Sequence, residues 1–320
     1  MAEAFVEERL GEVRAAVVAG GRLIEMHVAR LFDGVQPGEV IGGRLAGRMV
    51  AGHRVVLESG EEAVLSGPAP GAEGARLPVE VVREAIPEVG RLRPALVRAA
   101  RAGAEPRPAP GLAERLAQAG HRLREGTFPA ALEEQWDAGW AQAQAGQVAI
   151  ADGLLILSPT PALLAIDIDG APDPALAASA VAEIIRRFGI GGSIAVDFPG
   201  TGGRGWRQAA ASAFDAAMAG LPFERTAVNG FGLLHIVRPR PRRSILDRAR
   251  FEQDVTAALS LLEAARRETR AGPLVLTARA GVVALLERRR ELIDQLARAT
   301  GRTIALRCDG AAGDGHVSTS

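Results

Sequence analysis

The chain has 320 residues, 48% hydrophobic and 24% charged, with 38 basic residues against 38 acidic ones. That length supports two or three packed units, and the neutral balance excludes capture of nucleic acid by a global positive field, so any such site must be built from locally placed arginine. A single cysteine, Cys308, excludes an intrachain disulfide and a cysteine-rich zinc site. All the basic residues are arginine and tyrosine is absent.

The N-terminus is charged and lacks an unbroken apolar core of the kind that marks a secretory leader. No apolar run approaches the ~20 residues that span a bilayer. A cytoplasmic protein with no membrane partner is expected.

Residues 13–31 read as two short strands around a Gly20-Gly21 turn. Residues 39–97 hold short β-type segments separated by glycine or proline, a spacing that predicts a small OB-like barrel. Residues 101–111, RAGAEPRPAPG, read as a linker. Residues 112–145 are helical in pattern, with Trp136 and Trp140 one turn apart on a face that suits a core better than a ligand platform.

The centre is the most regular part. Segments 154–159 and 162–169 predict a hairpin across Pro159 and Pro161. Residues 174–189 form an amphipathic helix ending at Gly189, and 192–198 a buried strand. A second helix over 205–220 and a strand over 226–238, interrupted at Asn229-Gly230, complete a β-α-β-α-β order. That order predicts parallel neighbours with right-handed crossovers. After an arginine-proline run at 238–243, a long helix over 249–269, a strand over 273–278, a helix over 281–301 and a strand over 302–308 form a small unit, and the tail from 309 is expected to be disordered.

The fold class is therefore α/β in the mixed α+β sense. The expected units are 1–35, strands packing on the central layer; 36–100, the OB-like barrel; 101–145, linker and helical segment; 146–243, the central α/β layer; and 244–320, a small C-terminal α/β unit with its tail.

Three carboxylates draw the eye. Asp167 and Asp169 alternate with Ile166 and Ile168 and so share one strand face, and Asp197 ends the next strand. If those strands are parallel neighbours, Asp167 and Asp197 converge at the sheet edge where α/β proteins build sites. Two hard oxygen donors leaving room for water and a phosphate oxygen suit Mg²⁺. On spacing alone, capping of turns or of the following helices is the commoner role of such aspartates. No histidine or glutamate is expected to reinforce the cluster. The loop Gly200–Gly205 matches G-x-G-x-x-G literally, but the next strand lacks the terminal acid of a dinucleotide site and no lysine follows for a P-loop. The run Arg238, Arg240, Arg242, Arg243 reads either as an RNA-backbone track or as a solvated linker.

These segments resemble the ribonuclease E/G family. Residues 146–170, ending AIDIDG, resemble its acidic "SIDIN" stretch; 191–198, GGSIAVDF, its "GGLIVIDF" strand; and 229–240, NGFGLLHIVRPR, its "RFGLLEMSRQR" segment. Residues 285–309 resemble the small domain that follows the catalytic part, and RLIEMHV at 22–28 is compatible with the family's opening. The resemblance implies a Mg²⁺-dependent endoribonuclease of RNA processing or decay that cuts single-stranded RNA, with the metal on Asp167 and Asp197. Asp169 stands where the family has an orienting asparagine, and Arg204, Arg238, Arg240 and Arg242 are candidates for RNA contact. The family's paired zinc-link cysteines would fall between Arg240 and Arg250, where this chain has none, so a homo-oligomer would assemble without a zinc link. No match to a 5′-monophosphate pocket is found, and no aromatic residue lies between Phe32 and Phe128 to stack bases in the barrel. The alternative implied by these losses is a catalytically impaired paralogue that binds RNA or a partner protein.

Overall fold

The computed structural model describes residues 2–50, 52–68, 71–101, 103–200 and 202–319. Strands β1 (Glu3–Arg9), β2 (Glu12–Ala19) and β3 (Arg22–Arg30) form an antiparallel meander. Gly20 and Gly21 both take positive φ, 57° and 78°, the two-residue turn whose twist matches its flanking strands.

The barrel follows: β4 (Val40–Met49), β5 (Gly52–Leu57), β6 (Glu62–Leu65), β7 (Arg76–Arg83), a small hairpin of β8 (Ile86–Glu88) and β9 (Arg91–Arg93), then β10 (Ala95–Ala99). It closes in the order β10-β6-β5-β4-β7, with β10 parallel to β6 and antiparallel to β7, as the OB-like expectation requires. Its core is purely aliphatic, built from Leu45, Val55, Leu57, Leu65, Val79, Val81 and Val97 with smaller neighbours.

The stretch expected to be helical over 112–145 is broken. Between α1 (Leu112–Gln118) and α2 (Ala130–Ala145) runs β11 (Arg122–Glu125), which pairs in parallel with the free edge of β1. Glycines at 120 and 126 in positive φ end the helical run on either side of it, so an available sheet edge overrides helical pattern. Trp136 is buried in the central core and stacks on Trp140 at 6.5 Å, as expected of a packing pair.

The central sheet contains β12 (Gln147–Ile150), β13 (Gly153–Pro159), β14 (Leu164–Gly170), β15 (Gly192–Asp197), β16 (Glu224–Arg225) and β17 (Leu233–Arg238) in the order β12-β13-β14-β15-β17-β16. Helices α3 (Pro174–Arg187) and α4 (Arg204–Ala217) pack against one face. Only β14 and β15 run parallel; β17 returns antiparallel to β15, which corrects the expectation of parallel neighbours throughout. The reason is local. Residues 226–232 fold as a loop at the end of β15, so β17 starts where β15 stops.

The long helix expected over 249–269 is two helices, α5 (Ile245–Phe251) and α6 (Gln253–Arg267), divided at Glu252, whose carboxylate is drawn to Arg30, Arg243 and Arg248. Ile245, Leu246 and Ala249 of α5 belong to the central core. Strand β18 (Leu274–Ala278) is buried along its whole length, between α6 and the pair α7 (Ala280–Arg288) and α8 (Arg290–Thr300), again one expected helix split in two, here at Arg289. β19 (Ile304–Cys308) pairs parallel to β18. The tail expected to be disordered instead forms a short 3-10 turn (Gly310–Ala312) and β20 (His316–Thr319), which pairs antiparallel with the other edge of β18. A fully buried strand leaves no edge unpaired without cost, and the tail supplies the missing hydrogen bonds. Among the described residues no helix is long and apolar enough to cross a membrane.

Candidate active site

Ile166 and Ile168 on β14 and Val196 on β15 are buried at 3% exposure or less against the helices. The period of two then turns Asp167, Asp169 and Asp197 to the opposite face. Asp167 and Asp197 are direct register partners in the parallel β14–β15 ladder. Their backbones therefore stand one strand spacing apart, roughly 4.8 Å, and both side chains are exposed. Asp169 lies one step further along the same face, opposite Leu154, and its Oδ1 accepts the Gly170 amide at 2.9 Å. Among the described residues no three His, Cys, Asp or Glu side chains gather as a group that could hold a metal ion.

The face around this pair is uncovered. Leu154, Ile156, Ala165, Ser193 and Ala195 are half-buried on it, and Leu233, His235 and Val237 of β17 are exposed. Leu233 is the register partner of Asp197, which puts His235 on the diagonal, about 7–8 Å between backbones. His235 Nε2 lies 2.7 Å from Ser193 Oγ. A histidine thus shares the face with the carboxylates, which corrects the expectation that none would, because the antiparallel return of β17 brings it there. Phe231 is 80% exposed at the neighbouring loop. Asn229 Oδ1 accepts the amides of Phe231 and Leu233 at 2.9 and 3.1 Å, and the Phe198 amide donates to the Gly232 carbonyl at 3.2 Å. An exposed ring is thereby held on a well-bonded turn beside Asp197. Asn229-Gly230, in sequence an interruption within one strand, is instead part of this turn ahead of β17.

The glycine-rich loop is folded onto its own chain. A Cβ on Gly202 would meet the Trp206 ring at 2.3 Å, and Arg207 donates to the Gly202 carbonyl at 2.6 Å. Trp206 in turn packs edge-on against Phe198 at 5.6 Å. Glycine is needed at 202 for this close packing. Thr201, part of the G-x-G-x-x-G match, lies outside the described residues. Arg204 opens α4 and is exposed.

The arginine run is neither a solvated linker nor a continuous track. Arg238 Nη1 donates to the Ile190 carbonyl at 2.8 Å. Arg242 binds Gln36 Oε1 at 2.7 Å and the Pro37 carbonyl at 3.1 Å, and Arg243 reaches Asp33 at 2.9 Å and Glu252 at 3.0 Å. Burial lowers the pKa of both Arg238 and Arg242, with Glu25 opposing it for the first and Glu84 for the second. Arg242 and Arg243 tie the segment after β17 to residues 33–37 ahead of the barrel, whereas Arg238 stays within the central layer. Arg240 binds Asp247 at 2.8 Å and also lines a surface cleft.

The donor set fits one hard divalent cation. Two exposed carboxylates, one in the middle of β14 and one at the end of β15, offer the one or two protein ligands that Mg²⁺ takes alongside water and phosphate oxygens. No protein-family model matches the chain, and no curated protein is significantly similar to it.

Proposed function

We propose that the chain is a Mg²⁺-dependent endoribonuclease acting on single-stranded RNA, akin to the ribonuclease E/G family. The observation that carries this reading is the register pairing of Asp167 with Asp197 on an uncovered sheet face. Two like charges held one strand apart and open to solvent repel each other unless a cation joins them.

When bound there, Mg²⁺ supplies Lewis-acid polarisation of a phosphodiester. The chain's own residues do the rest. Asp167 and Asp197 fix the cation's place where the β14–β15 ladder ends. Asp169 adds negative field along the strand and tightens cation binding. His235, set by Ser193, offers a proton-accepting or proton-donating nitrogen on the same face. Phe231 offers a flat apolar surface for a base, and base–aromatic stacking contributes roughly 1–3 kcal/mol per base. The barrel holds no aromatic residue, so stacking falls to this loop.

The test is cleavage of a single-stranded RNA by the purified protein in Mg²⁺, beside Asp167→Asn and Asp197→Asn. Loss of a metal-dependent term of several kcal/mol predicts that each variant is slower by about a hundredfold or more. Equal cleavage by wild type and both variants would overturn the nuclease reading and leave that of a non-catalytic RNA-binding paralogue.

A further inference from the structure

At the other end of the central sheet a cleft of about 360 Å³ opens between the β8–β9 hairpin and the turn joining β13 to β14. Its wall includes Glu88, Arg93, Thr160, Ser193, Val237 and Arg240. Three guanidiniums crowd Glu88, which is only 7% exposed: Arg91 at 2.7 Å, Arg93 at 3.5 Å and Arg240 at 4.0 Å. Arg83 stands behind them. Its Nη2 donates to the Pro94 carbonyl at 2.7 Å, while its Nε is buried with no partner among the described residues. Burial lowers the Arg83 pKa to about 10; Arg93 and Arg240 add to the fall and Glu88 opposes it. Asp247, held by Arg240, is the other carboxylate on the wall. Arg93 and Arg240 line the wall against the two carboxylates, and with Arg91 and Arg83 close by Glu88 the cluster around the cleft counts four guanidiniums to two carboxylates among the described residues.

The cleft opens onto the face that carries the acidic pair. Ser193 on its wall lies four residues before Asp197 on β15, a run of roughly 13 Å of strand. Between these ends, Val237, His235 and Leu233 form an exposed stripe along β17, and Phe231 stands at its far end. A positive cleft, an apolar and aromatic stripe, and an acidic pair in line match the alternation of phosphate and base along an extended nucleic-acid strand.

We propose that the cleft is a phosphate-binding subsite in which Arg93 and Arg240 hold a backbone phosphate of single-stranded RNA a few nucleotides from the Asp167–Asp197 pair. The naming of RNA rests on the function proposed above; the anion site itself does not. Arginine suits it because its planar fork meets phosphate oxygens two at a time.

The experiment is fluorescence anisotropy with a labelled single-stranded oligoribonucleotide of about 12 nucleotides, in EDTA so that cleavage plays no part, across a salt series. Arg93 is half-exposed, so Arg93→Gln leaves the fold in place, which circular dichroism checks. Removing one phosphate contact should weaken binding several-fold and flatten the log–log salt slope by about one. Arg93→Lys should keep most of that slope. Arg98→Gln, an exposed arginine on β10 paired with Glu80, should leave both affinity and slope unchanged. Wild-type affinity and slope in Arg93→Gln would overturn the subsite, whatever the cleavage assay gives. Competition by oligo-glutamate as strong as that by unlabelled RNA would overturn its assignment to phosphate. A wild type that cuts no RNA yet shows the Arg93 effect overturns the nuclease reading and leaves the subsite standing.

Discussion

Burial raises the carboxyl pKa of Asp33, but Arg248, bound at 2.9 and 2.6 Å in a two-pronged contact, and Arg243 outweigh it, so the net shift is downward. Arg248 is itself buried and raised, Asp33 and Glu252 overcoming its desolvation. The sign of the linkage follows from that direction. A folded carboxylate below its unfolded value of about 3.9 stabilises the protein above that pH, and the contribution drains as pH falls toward the folded pKa. Asp33→Asn leaves Arg248 buried with half its partner gone and should cost about 3–5 kcal/mol at neutral pH. Urea denaturation at pH 7 and near pH 3 measures it: the gap between wild type and variant should narrow at the acid end. A gap independent of pH would contradict the assignment. Arg14, buried with Glu7, paired also with half-buried Glu133 and lying 4.3 Å over the Phe128 ring, ties the first sheet to α2.

Among elements, β20 departs most from its sequence. Composition alone reads 309–320 as disordered, since glycine, alanine and aspartate dominate. Pairing decides otherwise. Strand β18 offers a complete antiparallel edge from Leu274 to Thr277, and Val317 packs against the C-terminal core. Deleting residues 315–320 should expose that edge, and hydrogen exchange at Leu274–Ala278 should accelerate while β13–β15 stay protected. Unchanged protection in β18 would show that β19 alone holds it. The same contrast accounts for what was legible. The Gly20-Gly21 hairpin, the short barrel strands, the β13–β14 hairpin and α3 follow from period and turn chemistry, which are local. β11, β20, the antiparallel β17 and the breaks at Glu252 and Arg289 depend on edges and charges supplied by distant segments, which no window of sequence contains. The acidic pair was legible for the same local reason: alternation on β14 fixed its face, and the crossover through α3 fixed its neighbour. His235, Phe231 and the arginine cleft were not, because β17's direction and the β8–β9 hairpin bring them in from elsewhere.

At the scale of the molecule, charge is balanced in total and segregated in place. Arginines at the seam near Asp33 and Glu252 are consumed in holding the parts together, and the cleft near Glu88 keeps a surplus. The uncovered sheet face runs from that positive end to the acidic end at Asp167 and Asp197. A divalent cation at the acidic end is what the proposed nuclease requires. Titration of Mn²⁺, a paramagnetic stand-in for Mg²⁺, into isotope-labelled protein reads this directly in the amide spectrum. Broadening should centre on residues 165–169 and 195–199 and be abolished in the Asp167→Asn/Asp197→Asn double variant. Broadening that is absent there, or that survives the double substitution, would contradict a cation at this site.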